Sequence, residues 1–136
     1  MRKGKDMPLK ILVVDDEEDT LKILDIELRS EGYEVITARN AGEAMEQARK
    51  FSPDLIVMDI LLPDMNGAEA VKMLKVDPQT KDIPVIFLTA VVTRQEEQQV
   101  GLDINVDGRR YSTIAKPFQP KELLGQIQKV YDHEKR

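Results

Sequence analysis

The chain has 136 residues, a formal net charge of −5, no cysteine and no tryptophan. That length suits one domain with one core, the missing cysteine excludes disulfides and thiolate chemistry, and an acidic balance with few aromatic residues argues against direct binding of nucleic acid. No apolar run approaches the ~18 residues that cross a bilayer, and the basic start, Met1 to Lys5, leads into no signal-peptide core, so a cytoplasmic protein with a loose tail over residues 1–7 is expected.

Lys10 to Val14 is the first apolar strand, and it ends on Asp15-Asp16 followed by Glu17 and Glu18. An amphipathic helix follows over Thr20 to Glu31, with Leu21, Leu24 and Leu28 at helical spacing and Gly32 as its stop. Acids in a first helical turn complement the macrodipole, which accounts for Glu17, Glu18 and Asp19. Asp15 and Asp16 lie at the strand end, before the helix can begin, and stay open between a capping role and a site.

Tyr33 to Thr37 reads as a short strand, and Asn40 or Gly42 opens a helix through Lys50 that Ser52-Pro53 ends. The central strand, Leu55 to Met58, is apolar at every position without alternation, as a strand covered on both faces must be. It runs into Asp59 and breaks at Pro63 and Gly67. Asp is common at such turns for its local backbone hydrogen bonds, yet the carboxyl ends of strands are also where open α/β sheets hold their ligands.

A helix from Gly67 to about Lys75 turns Ala70, Val71 and Leu74 inward, and Ile83 to Leu88 is the next strand, ending on Thr89-Ala90. Thr93 to about Val100 reads as a weakly apolar helix, and residues 101–110, with two Gly and two Asp, as a loop. Tyr111 to Ala115 is a last strand that ends on Lys116-Pro117-Phe118. Gln119-Pro120 then starts a helix to about Tyr131 with Leu123, Leu124, Ile127 and Val130 inward.

Strand and helix alternate throughout, which implies a parallel sheet wrapped by helices on both faces. Such a sheet brings Asp15, Asp16, Asp59, Thr89 and Lys116 to one edge. Acids at neighbouring strand tips repel, and a hard divalent cation relieves the repulsion; Mg²⁺ is the natural occupant. A lysine and a threonine hydroxyl beside them suit the oxygens of a phosphoryl group in transfer, with Asp59 as the nucleophile that forms an acyl phosphate.

Val14-Asp15-Asp16, Met58-Asp59-Ile60 with Pro63 and Gly67, Leu88-Thr89-Ala90 and Lys116-Pro117-Phe118, in this order, resemble the receiver domain of two-component response regulators, from about Leu9 to Tyr131. The resemblance implies a flavodoxin-like (βα)5 doubly wound fold with a five-stranded parallel sheet in the order 2-1-3-4-5. The receiver would span residues 8–133, with 134–136 as a tail, either as a stand-alone regulator or as part of a longer protein. It implies Asp59 as phosphoacceptor and Mg²⁺ bound by Asp16, Asp59 and the Leu61 carbonyl, with Asp15 assisting largely through water. Thr89 and Lys116 would contact the phosphoryl group, and the Lys116-Pro117 bond would be cis. The implied partner is a sensor histidine kinase or histidine phosphotransfer protein. A homodimer through the last two helices and last strand is a further implication, with Gln95, Glu96, Gln99, Lys121 and Lys129 as candidate members of that face.

Two features depart from the family pattern. Thr113 stands where relatives carry Tyr or Phe, and the interval from Thr89 to Lys116 is longer, with Ile104 to Arg110 as the excess. Leu61 and Val91, two residues beyond Asp59 and Thr89, are apolar where fast-dephosphorylating relatives carry polar residues, so a long-lived phospho-Asp59 is expected. A haloacid-dehalogenase-like phosphatase would need a second Asp two residues past its nucleophile, and neither Leu61 nor Glu17 provides it. The remaining alternative is a receiver-like interaction module that works without phosphate.

Overall fold

The computed structural model describes residues 8–90 and 104–134. The described elements are β1 (Lys10–Val14), α1 (Glu18–Ser30), β2 (Glu34–Ala38), α2 (Ala41–Phe51), β3 (Leu55–Asp59), α3 (Gly67–Val76), β4 (Val85–Ala90), β5 (Ile104–Val106), β6 (Arg109–Tyr111), β7 (Thr113–Lys116) and α4 (Pro120–Glu134). Five strands form one parallel sheet in the order β2-β1-β3-β4-β7. With β7 as the fifth strand of that sheet, this is the expected doubly wound flavodoxin-like order. The expected helix from Thr93 to Val100 lies outside the described residues.

Because successive strand residues point to opposite faces, each uninterrupted apolar strand feeds two cores. Ile11 and Val13, Leu55 and Val57, and Ile86 and Leu88 pack with Leu21, Leu24 and Leu28 of α1 and Leu123 and Ile127 of α4. Leu12 and Val14, Ile56 and Met58, and Val85 and Phe87 pack with Ala41, Ala44, Met45 and Ala48 of α2 and Ala70, Val71 and Leu74 of α3. Burial on both faces is what the lack of alternation in the central strand encodes.

Helix ends are set locally. Asn40 accepts a hydrogen bond from the Glu43 amide at the start of α2, and Asn66 accepts from the Ala68 amide at the start of α3. The carboxylate of Asp64, from the loop after β3, reaches the Ala41 and Gly42 amides at 2.9 Å each. That long-range cap ties the loop behind Asp59 to α2. The α2-capping hydrogen bonds outweigh partial desolvation and hold the Asp64 carboxyl below its usual range. Helix α1 starts at Glu18 and α4 runs to Glu134, so both are longer than their apolar spacing indicates.

The main difference from expectation lies in the segment read as a loop. Residues 104–111 form an antiparallel hairpin, with Ile104 opposite Tyr111 and Val106 opposite Arg109. Asp107 and Gly108 at its tip have φ of 51° and 82°, the two positive values that a two-residue turn of the hairpin-favouring hand requires. Tyr111 therefore closes this hairpin and does not begin the last sheet strand, which starts at Thr113 after Ser112. Val106 and Tyr111 are buried in the α2–α3 core. The Tyr111 ring meets Phe87 edge-on, with centroids 5.7 Å apart at an interplanar angle of 74°, a favourable arrangement for two aromatic rings.

Gly67 sits where the chain folds back under the tip of β3. A methyl group there would lie 2.9 Å from the Ile60 Cα, 3.0 Å from the Asp59 carbonyl oxygen and 3.2 Å from Phe87. Two of those neighbours are backbone atoms and cannot rotate away. Gly67→Ala is expected to lower the unfolding free energy by about 1–3 kcal/mol. Gly125→Ala, in α4 with open space around it, is expected to raise it by about 0.5–1 kcal/mol. Urea denaturation of both variants checks the pair, and equal effects would show that the close approach at Gly67 is unimportant.

Candidate functional site

Strand register brings the carboxylates together. Val14 of β1 pairs with Met58 of β3, so Asp15 and Asp59, each the next residue, emerge side by side at the carboxyl edge. On the other flank Asp59 pairs with Leu88, and Ala90 pairs with Lys116. Four sequence-distant segments thus end at one rim, where open α/β sheets form their crevices.

The side chains converge on Lys116. Its ammonium donates to Asp15 Oδ2 at 2.6 Å and to Asp59 Oδ2 at 3.0 Å, with Glu17 Oε1 at 3.6 Å. The other oxygen of each aspartate accepts a backbone amide two residues on, Glu17 for Asp15 and Leu61 for Asp59. Asp15 is fully buried, Asp59 is 8% exposed and Asp16 lies on the surface. Oxygens of Asp15, Asp16 and Asp59 all lie within 4.8 Å of one another.

Burial raises the Asp15 carboxyl above its ordinary 3.8, against the lowering by the Lys116 hydrogen bond and the Glu17 amide. For Lys116, burial pulls the ammonium down, but the hydrogen bonds to Asp15 and Asp59 outweigh it and carry it above 10.5. The ammonium therefore remains charged at neutral pH, and the proton of the pair resides on nitrogen. Three carboxylates against one ammonium leave a net negative pocket of hard oxygen atoms, a donor set suited to a divalent cation such as Mg²⁺.

Asp15, Asp16, Asp59 and Lys116 are brought together as the sequence indicates. Thr89 lies on the same rim, but its hydroxyl donates to the Ala90 carbonyl at a long 3.4 Å and not to the carboxylates. Leu61 is 66% exposed and makes a backbone bridge to Asn66, whereas Val91 lies outside the described residues. The Lys116-Pro117 peptide is cis. Two contributors were hidden in the sequence. Glu17 resembles a helix-starting acid, and only the turn of Asp15 onto its amide brings it to Lys116; the Asp64 cap spans 23 positions and leaves no local signal.

A doubly wound parallel sheet with an aspartate cluster and a lysine at its carboxyl rim is the architecture of a receiver-type signalling module. The family model described as the response regulator receiver domain matches residues 11–128, and the chain belongs to that family. It is 39% identical over 124 residues to the alkaline phosphatase synthesis transcriptional regulatory protein PhoP of Bacillus subtilis, across 91% of this chain and 49% of that protein. It is 40% identical over 94 residues to the polar-differentiation response regulator DivK of Brucella anthropi, across 69% of this chain and 76% of that protein. The structure of the chemotaxis response regulator CheY4 of Vibrio cholerae matches with a TM-score of 0.76 at 33% identity, over 91% of this chain and 99% of that one. The chain spans about half the length of PhoP and of several other curated relatives. Among the described residues no helix is long and apolar enough to cross a membrane.

The two shifted groups give opposite pH signatures. Because the folded Asp15 value is raised, the folded state takes up the proton first, so this group makes the protein more stable as pH falls through the folded value toward 3.8. Because the folded Lys116 value is raised, its contribution is complete below 10.5 and is lost as pH rises above it. In EDTA, Lys116→Met is expected to abolish the alkaline loss and to enlarge the gain on mild acidification. Chemical denaturation across pH reads both limbs, and an unchanged profile would contradict the pairing.

Proposed function

We propose that this chain is a phosphorylation-operated receiver that takes a phosphoryl group from the histidine of a sensor kinase or histidine phosphotransfer protein onto Asp59, with Mg²⁺, and thereby alters a protein-binding surface. The observation that carries this reading is the Lys116 ammonium seated between the Asp15 and Asp59 carboxylates. A nucleophilic carboxylate at a strand tip, already paired with a fixed cation, is placed to accept a phosphoryl group and to hold it afterwards. We assign the receiver unit to residues 8–133, with 1–7 and 134–136 as tails, and place the protein in the cytoplasm, where a kinase's phosphohistidine would reach it.

Asp15, Asp16, Asp59 and the Leu61 carbonyl would hold the Mg²⁺, which when bound supplies positive charge beside the phosphoryl oxygens. An Asp59 oxygen bonds to phosphorus while the donor imidazole nitrogen leaves with the electron pair of the P–N bond. Lys116 then pairs with the added charge, about −1.5 to −2 for a phosphoryl group at neutral pH. The long bond from Thr89 to the Ala90 carbonyl is weak, so that hydroxyl is available to donate to a phosphoryl oxygen instead. Such a movement of the β4 tip favours a second arrangement of the face that contains β7 and α4, where Lys121 and Lys129 are exposed and where a homodimer or partner would assemble.

The partner's approach is supported by an apolar surface beside the pocket. Ile23 and Ile26 of α1 are 56% and 67% exposed, and Ile23, Thr20, Pro117 and Phe118 line a cleft of about 370 Å³ that reaches Lys116. Exposed isoleucines next to a reactive group suit the docking of a partner helix. The phosphate-independent module keeps support from Thr113 and from Tyr111, whose ring is held in the core by Phe87 and is not at the position where relatives carry a switch aromatic.

Acetyl phosphate with Mg²⁺ is expected to add one phosphoryl group to the wild type and none to Asp59→Ala, as read by intact-protein mass spectrometry. The label is expected to persist longer than on fast chemotaxis-type regulators, since the exposed Leu61 orients no water. No label, under conditions that mark a control receiver, would favour the phosphate-independent module. Ile23→Glu is expected to slow transfer from a histidine phosphotransfer domain at least about tenfold, the loss of a buried apolar anchor, while leaving acetyl phosphate labelling intact. Equal slowing with both donors would place Ile23 in folding instead of docking.

A further inference from the structure

The loop that leaves Asp59 is gripped from a distant part of the chain. Asp64 sends its carboxylate to the start of α2, where one oxygen accepts the Ala41 amide and the other the Gly42 amide, across 23 and 22 positions of sequence. A carboxylate forked over two amides at a helix N-terminus is a charge-assisted contact that the helix dipole strengthens. Asn40 already supplies the local cap of that helix, accepting the Glu43 amide at 2.8 Å. Two side chains therefore cap α2, and Asp64 is the one that also belongs to the loop after β3.

The far end of the tie is anchored to the strands that carry the site. Ala41, Ala44, Met45 and Ala48 of α2 share one core with Val14 and Met58, the residues directly before Asp15 and Asp59. The Leu61 carbonyl lies between two sets of restraints. Upstream, the Leu61 amide donates to Asp59 Oδ1 at 3.0 Å. Downstream, Leu62 is buried in the same core as α2, Pro63 has no amide hydrogen to add a bond, and Asp64 holds the Ala41 and Gly42 amides. Asp64 itself is exposed, so little packing depends on its side chain.

We infer that Asp64 is a positioning residue for the metal site, its tie to α2 fixing the Leu61 carbonyl relative to Asp15 and Asp59. The inference rests on the reading of Asp15, Asp16, Asp59 and the Leu61 carbonyl as Mg²⁺ ligands. Asp64 stands outside the group of carboxylates whose oxygens lie within 4.8 Å of one another, and it acts through the loop and not as a ligand. Mg²⁺ demands near-ideal octahedral geometry, whereas Ca²⁺ accepts a looser shell. Freeing one ligand carbonyl therefore costs Mg²⁺ more than Ca²⁺. Removal of a nearby negative charge, by contrast, weakens two ions of equal charge alike. The tie thus favours the smaller ion in addition to strengthening its binding.

Isotope-labelled wild type, Asp64→Ala, Asp64→Asn and Asn40→Ala, each titrated separately with Mg²⁺ and with Ca²⁺ and read by amide shifts around Asp59, test the assignment. Asp64→Ala is expected to weaken Mg²⁺ binding about tenfold, the usual cost of losing a group that orients a ligand, and Ca²⁺ binding by clearly less. Asp64→Asn keeps one acceptor oxygen and is expected to fall between Asp64→Ala and the wild type. Asn40→Ala loses a cap of the same helix without touching the loop, so it should be less stable to urea yet bind Mg²⁺ as the wild type does. All four spectra should remain dispersed, and if that of Asp64→Ala does not, Asp64→Asn carries the same comparison. Wild-type Mg²⁺ affinity in the Asp64 variants, equal weakening toward Mg²⁺ and Ca²⁺, or a loss in Asn40→Ala as large as in Asp64→Ala would each overturn the inference. A wild type that shows no response to millimolar Mg²⁺ would overturn the metal-binding reading itself, a result distinct from those three.

Discussion

The organising constraint is the placement of like charges where water is scarce. Asp15 is entirely buried and Asp59 nearly so, and two neighbouring carboxylates in such a setting repel strongly unless a cation stands between them. Lys116 is that cation, delivered from 101 positions away. Its stem comes off the end of β7, so the neutralising charge reaches the pocket only if β7 lies beside β4 and β4 beside β3. The order of the sheet and the electrostatics of the rim are one requirement seen at two scales.

This also explains why the pocket retains capacity for more positive charge. One ammonium does not balance the aspartates, and Asp16 and Glu17 add to the deficit from the surface side. The imbalance leaves a set of hard oxygen atoms suited to a divalent ion, and the Lys116 ammonium stands beside them at 2.6 and 3.0 Å from Asp15 and Asp59. The amides of Glu17 and Leu61 hold the two aspartates in place, so the carboxylate cluster is preorganised.

Much of this was legible in the sequence because buried parallel strands write themselves as uninterrupted apolar runs, and the residue that ends each run is then known to lie on the rim. Asp15, Asp59, Thr89 and Lys116 could be placed together on that basis alone. The hairpin was harder. Its strands are three residues each, Arg109 and Arg110 interrupt any apolar alternation, and Asp107-Gly108 reads as a loop unless Ile104, Val106 and Tyr111 are seen as the faces of a paired ribbon. Asp64 and Glu17 were hidden for a different reason: their partners are backbone amides and a lysine that only folding brings near.

Phe87 has a position that links these features. Its ring lies against the glycine turn beneath Asp59 on one side and against Tyr111 on the other, so a single fully buried side chain is a common wall of the aspartate loop and of the hairpin. Close-packed interiors yield little. The hairpin is therefore keyed into the scaffold of the rim instead of being an appendage, and a change in either the glycine turn or the ribbon would be felt by the other through this one ring.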